Sequence, residues 1–294
     1  MPRFRYDTAG TWYKGNTHVH STVSDGGKTF GELARMYSGA GYDFLFRTDH
    51  WTASHVAADT DHYPLLWLDG IELGGEDSRG SSYHVVCLGT FDGITKEMGF
   101  ARALHAAHSQ DGILILAHPH WTGISFEDAL RYPFHGVEVF NNACQWLNGK
   151  GEGSVCWNWM LQHSPSTLAF AADDAHIKPQ NPGWNQAWIM VNASELSPES
   201  LRASIRAGNF YSTCGPEFLS IDCHETAVTV TTSPVSFIRL AGTRSLGRRI
   251  GSYKGELFTT ASFIVPPEWT YAYVELEDAR GRRAWTNTLF APAP

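Results

Sequence analysis

Ile113-Leu114-Ile115-Leu116-Ala117-His118-Pro119-His120 is the stretch that decides how this chain folds. Five apolar residues without a polar break suit a strand buried on both faces, as in a sheet covered by helices. The run ends directly in imidazoles, which packing alone does not require. Moving outward, the same arrangement recurs. Phe44-Leu45-Phe46 runs into Arg47-Thr48-Asp49-His50, and Leu168-Ala169-Phe170-Ala171-Ala172 runs into Asp173-Asp174-Ala175-His176. Leu68-Asp69-Gly70-Ile71-Glu72-Leu73 ends in a carboxylate, and His84 opens the run that follows. Gly15-Asn16-Thr17-His18-Val19-His20 places two imidazoles on one face of an extended segment, and Ser24-Asp25-Gly26-Gly27 offers a carboxylate in the next turn.

The expected strands are 16–21, 43–48, 66–73, 83–90, 113–117, 136–140, 167–171 and 187–191. Helical spacing or composition occupies 29–39, 96–109, 125–132, 155–163 and 198–207. This alternation predicts an α/β domain with a mainly parallel sheet, open or closed into a barrel. After Gly215-Pro216 the character changes to short alternating runs such as 226–232, 236–240, 257–265 and 270–275. They predict a small β-sandwich, giving a domain over 1–215 and a second over 216–294.

Hydrophobic residues make up 43% of the 294 and charged residues 18%, so the chain can build a substantial core. A formal charge of -8 offers no footprint for nucleic acid or an anionic membrane. No stretch approaches the roughly 18 apolar residues of a membrane span, and the first residues do not begin a signal peptide. Cys87, Cys144, Cys156, Cys214 and Cys223 show no CxxC pairing and read as buried thiols. Cytoplasmic localisation is the expectation.

Fourteen histidines would give about 0.7 His-x-His pairs by chance, so His18-Val19-His20 and His118-Pro119-His120 carry weight only through their placement at strand ends. In α/β folds that rim is where sites are built. His18, His20, Asp25, His50, Glu72, His84, His118, Asp174 and His176 together read as metal ligands. Nine exceed what one ion uses, so two or three divalent ions are expected. Mixed imidazole and carboxylate ligands suit zinc, manganese or iron.

The ordered set HxH, SDG, TDH, a Glu-bearing strand, AHP and DDAH resembles the PHP (polymerase and histidinol phosphatase) superfamily over residues 12–190. The resemblance implies a distorted (β/α)7 barrel with a di- or trinuclear centre and hydrolysis by a metal-bridging hydroxide. It also implies that one ion takes His18, His20, Asp174 and a bridging Glu72. A second takes Asp25, His50 and His176, and a third takes Glu72, His84 and His118. More narrowly, Trp12–Asn16, Gly41–Phe44, Phe210–Ser212 and Ala284–Asn287 resemble a branch that includes carbaryl hydrolases. The sequence departs from that branch at Asn158, and from the superfamily at Arg47.

Beside the metals, Glu72 as bridge, His120 as general acid or hydrogen-bond donor, and Arg47 as oxyanion clamp are the catalytic candidates, with Lys178 a second clamp. His120 reads equally as an ordinary rim histidine, and Arg47 and Lys178 as ordinary salt-bridge partners. Asp49 and Asp173 adjoin ligands and are expected to orient an imidazole or balance charge. Trp146, Trp157, Trp159 and Trp184 suit either the core or an apolar substrate pocket. A small-molecule substrate is the expected partner. Three readings follow: a phosphoesterase on a small phosphomonoester or phosphodiester, a carbamate or aryl ester hydrolase, and a non-catalytic metal-binding module.

Overall fold

The computed structural model describes residues 3–291. Two compact units emerge, one from Tyr13–Trp157 and Phe170–Ile189, the other from Met1–Trp12, Asn158–Ala169 and Met190–Pro294. The first unit is mixed α/β. Its strand Phe44–Arg47 pairs in parallel with Thr11–Asn16 on one side and with Leu66–Glu76 on the other. Ile113–Leu116 pairs in parallel with Gly136–Asn141, and Leu168–Ala172 follows next in the sheet.

Between these parallel groups, Ser82–Leu88 runs antiparallel to both Leu66–Glu76 and Ile113–Leu116. The sheet is therefore mixed, with one antiparallel strand set among the parallel pairs. Only residues 77–81 separate Glu76 from Ser82, too few for the crossover that parallel neighbours need. That tight connection is closed by the Asp77 N–H donating to the Ser81 carbonyl and the Gly80 N–H donating to the Asp77 carbonyl.

Phe44–Arg47, Ile113–Leu116 and Leu168–Ala172 are buried along their length. Every residue of Ile113–Leu116 is inaccessible or nearly so, which explains the unbroken apolar run. Helix Phe30–Gly39 starts at a capping box, with Thr29 accepting from the Glu32 N–H and Glu32 reaching back to the Thr29 N–H. It buries Leu33, Ala34 and Tyr37 against Tyr42, Leu45, Leu65 and Trp67. Two short helices that periodicity does not announce, Pro119–Thr122 and Asn142–Asn148, each follow a strand end. Of the expected helix at 125–132, only Phe126–Ala129 is helical.

The first strand also differs from expectation. It ends at Asn16, because the His18 N–H donates to the Asn16 side chain instead of entering a ladder. His18 and His20 lie just beyond it, where Val19 keeps a single parallel bridge to Ala175.

The second unit is predominantly β. Antiparallel strands Gly247–Gly251, Phe237–Gly242, Ala272–Glu277, Arg283–Thr286 and Phe210–Thr213 form one ladder, and Phe218–His224, Ala227–Val235 and Phe258–Ile264 form a three-stranded sheet. Alternate residues of both, among them Ile221, Val228, Val230, Ile238, Leu240 and Val274, share one core. Helix Pro198–Ala207 is capped by Ser197 and stopped by Gly208. Among the described residues no helix is long and apolar enough to cross a membrane.

Candidate metal centre

All nine predicted ligands come from the first unit and meet in one place. Strand ends and their loops carry them: His50 after Phe44–Arg47, Glu72 within Leu66–Glu76, His84 within Ser82–Leu88, His118 after Ile113–Leu116, and Asp174 and His176 after Leu168–Ala172. His118 and Asp174 have φ of 28° and 51°, left-handed values that an L-residue holds only when its surroundings impose them.

The turn bearing Asp25 needs both of its glycines. The Gly26 N–H donates to the Ser21 carbonyl at 2.7 Å and the Gly27 N–H to the His176 carbonyl at 2.7 Å. A Cβ on Gly26 would stand 2.3 Å from the His20 carbonyl oxygen, and one on Gly27 2.5 Å from that of Ile177. Asp25 is thereby sewn between the segments that carry His20 and His176.

Glu72 is the hub. Its Oε2 lies 3.2 Å from His18 Nε2, 3.2 Å from His20 Nε2 and 3.0 Å from His50 Nδ1, and its Oε1 lies 2.8 Å from His84 Nδ1 and 3.5 Å from His118 Nε2. Asp174 Oδ1 is 3.0 Å from His20 Nε2, 3.4 Å from His18 Nε2 and 3.5 Å from His176 Nδ1. Asp25 closes the open side, 3.1 Å from His176 Nε2 and 3.8 Å from His50 Nε2. Ligand atoms of His20, Asp25, His50 and His176 lie within 4.8 Å of one another, as do three overlapping triads, His18–Glu72–His118, His18–His20–Asp174 and His50–Glu72–His84.

Divalent cations fit this donor set. Glu72 Oε2, Asp174 Oδ1, His20 Nδ1 and His118 Nδ1 are buried without a hydrogen bond, although ring nitrogens crowd the two carboxylate oxygens. Buried polar atoms are rarely left so, since each costs roughly 1–3 kcal/mol. Converging lone pairs without aligned protons are what an ion requires.

Electrostatics without metal point the same way. Burial opposes a charge on His18, yet Asp174, Glu72 and Glu138 raise its pKa well above the ordinary imidazole value. For His20 burial is likewise outweighed, by Asp174 and Glu72, and its pKa rises to about 9. Burial would raise Glu72 and Asp174, but His18 and the other imidazoles hold both well below the carboxylate range. Protons stand in for the cations, and ions that bind must displace them.

Three residues that sequence reasoning did not single out complete the surroundings. Glu138, 1% exposed, accepts from His18 Nδ1 at 2.7 Å and from the His118 N–H at 2.8 Å. Asn141 donates to Glu138 at 2.8 Å and to Asp174 at 3.3 Å. Cys144 lies with His118 and Asp174 within ligand reach. An inward carboxylate amid Gly136-Val137-Glu138-Val139-Phe140 was the one available signal, because an apolar strand has no packing use for it.

Other expectations land elsewhere. Arg47 is buried, donates to Asp59 at 2.6 Å and lies 3.9 Å over the Phe30 ring, so the structure does not bring it to the cluster. His120 is exposed on Pro119–Thr122 and does not line the cavity above the ligands. Lys178 Nζ does come near, 3.8 Å from Asp25. Asp49 binds the backbone and hydroxyls of Ser21 and Ser24, and Asp173 accepts from Asn16, Tyr37 and three backbone N–H groups. Both therefore fix loops instead of imidazoles. Trp157 is fully buried, Trp184 packs edge-on against Tyr37, and Trp146 and Trp159 are exposed. The cavity's aromatic wall is Trp121, 5.2 Å from His118 and 5.8 Å from His84 between ring centres, joined by Ala143, Cys144, Leu147 and Asn181.

No protein-family model and no curated protein matches this chain. Among solved structures, it shares the fold of a two-domain protein from Bacteroides vulgatus containing a predicted PHP-like metal-dependent phosphoesterase. That match has a TM-score of 0.53 at 16% identity and covers 94% of this chain and 93% of that one. An amidohydrolase from Chromobacterium violaceum, with bound sulfate and no metal, aligns with a TM-score of 0.45 at 15% identity over 67% of this chain and 96% of its own.

Proposed function

We propose that this protein is a metal-dependent hydrolase of the PHP type, acting on a small phosphomonoester or phosphodiester. The observation that carries the reading is Glu72, a fully buried carboxylate within 3.5 Å of five imidazoles. Such a carboxylate suits a bridge between ions, and the overlapping triads leave room for two or three, zinc, manganese or iron. Divalent ions bound here would supply Lewis acidity and lower the pKa of a coordinated water to roughly 7.

The chain's own groups do the rest. Glu138 holds the His18 ring by its Nδ1 and so presents Nε2 to the cluster. Asn141 and the Ala143 N–H, which donates to the Asp173 carbonyl, fix the loop bearing Asp174. Trp121 and Leu147 give the cavity an apolar wall. Lys178, 3.8 Å from Asp25, is a cation at the edge of the cluster that an anionic group could use. Neither a Ser nor a Cys nucleophile is required.

The Bacteroides protein, which contains a predicted PHP-like metal-dependent phosphoesterase, shares the fold, and this supports the first reading. A second reading, a carbamate or aryl ester hydrolase, is favoured by the cavity lining: Trp121, Ala143 and Leu147 are there, and Arg and Lys are not. In either case we read the finer architecture as a distorted (β/α)7 barrel over 1–215 with a C-terminal β-sandwich over 216–294. The buried thiols Cys87, Cys144 and Cys156 support a reducing, cytoplasmic setting.

The test is a screen of metal-loaded protein against p-nitrophenyl phosphate, bis-p-nitrophenyl phosphate and 1-naphthyl esters and carbamates. Turnover of a phosphate supports the first reading, and turnover of the naphthyl substrates alone supports the second. Full metal loading with no turnover of any of them would leave a metal-binding module.

A further inference from the structure

Cys144 is a buried thiol that the mechanism above does not use. It sits in the first turn of helix Asn142–Asn148, and its backbone N–H donates to the Asn141 side chain at 2.9 Å. The same Asn141 side chain donates to Glu138 and to Asp174, so the thiol's position is locked to the outer frame of the cluster. Its sulfur and ligand atoms of His118 and Asp174 lie within 4.8 Å of one another, and Cys144 lines the cavity over the site. His118 Nε2 and Asp174 Oδ2, on side chains 3% and 7% exposed, stand 4.0 Å apart at this corner of the cluster. An imidazole and a carboxylate beside a sulfur make a second set of metal ligands overlapping the first.

Resting on the reading of the cluster as a metal centre, we infer that Cys144 is a tenth ligand, which with His118 and Asp174 holds a thiophilic divalent ion such as zinc. Coordination replaces the S–H bond by a metal–sulfur bond and releases the proton to the buffer. A thiolate among imidazoles and carboxylates biases the site towards zinc or iron and away from magnesium and manganese, which favour oxygen.

Cobalt(II) loading of the full chain tests this. The expected spectrum has d–d bands from bound cobalt together with a thiolate-to-cobalt charge-transfer band in the near ultraviolet. Cys144→Ser should abolish the charge-transfer band and keep the d–d bands, whereas Cys87→Ala should keep both. X-ray absorption at the zinc edge of the unmutated, zinc-loaded protein needs no variant and should show a sulfur scatterer at about 2.3 Å. Cobalt bound with d–d bands but no charge transfer, or zinc with nitrogen and oxygen neighbours alone, overturns the Cys144 assignment and leaves the metal centre standing. Failure of either ion to bind overturns both.

Discussion

At the residue scale, the site is a lattice of imidazoles strung on a few carboxylates, and Glu72 bears the most. Glu72→Gln keeps the shape but removes the charge and half of a bridge. We expect at least about 10²-fold loss in kcat, roughly 2.7 kcal/mol of transition-state stabilisation, measured on whichever ester the screen identifies. Glu138→Gln acts one step out, since the substituted amide cannot hold the His18 ring as the carboxylate does. Metal affinity, read by chelator competition, should fall about 10–100-fold, and unchanged affinity would show that Glu138 is only a packing group. The ligand types were legible because His and Asp recurring at strand ends have no other economical explanation. Glu138, Asn141 and Cys144 were not, because the cluster residues they reach, His18, His118 and Asp174, come from other parts of the chain. Arg47 and His120 lie close to ligands in sequence, but Arg47 is turned onto Phe30 and Asp59, and His120 is exposed.

At the scale of elements, the apolar runs located the strands closely except the first, which lies at Thr11–Asn16 and not at 16–21. Burial fixes where a strand lies along the chain, whereas direction depends on connection length, and residues 77–81 turn the sheet antiparallel for one strand. The helices at Pro119–Thr122 and Asn142–Asn148 span 4 and 7 residues, too short to show a period. The glycine turn offers a sharp test. Gly26→Ala puts a methyl against the His20 backbone, and because neither segment can yield without moving a ligand, metal affinity should fall by an order of magnitude or more. Gly39→Ala, in the last turn of Phe30–Gly39 with nothing within 4 Å, should leave affinity unchanged and shift stability by no more than about 1 kcal/mol. Equal effects from the two would remove the turn from the account.

At the scale of the whole molecule, the last stretch of the second unit begins at Met190, ahead of the composition shift near 215. The second unit also gathers residues 1–12 and 158–169 from far up the chain, which no local pattern announces. All nine ligands lie in the other unit, so metal binding and the stability of that unit are coupled. The pH dependence follows from the charges. His20, raised to about 9, stabilises the metal-free fold fully below its ordinary value near 6.5, and that contribution is lost as pH rises through about 9. Glu72 and Asp174, held low, stabilise it above the ordinary carboxylate range and lose that contribution as pH falls. Chelated protein should therefore show its highest Tm between about pH 5 and 6.5 and decline towards pH 9. Metal should remove the alkaline decline, because ions then replace the protons. A calorimetric Tm profile with the same shape in both states would contradict the cluster's electrostatics.

The most direct test of the central claim is the metal content of the purified chain. Protein prepared without chelator under metal-replete conditions should carry two to three transition-metal equivalents per chain by elemental analysis, because the nine side chains form overlapping sets that a single ion cannot satisfy. One equivalent or fewer would contradict the account.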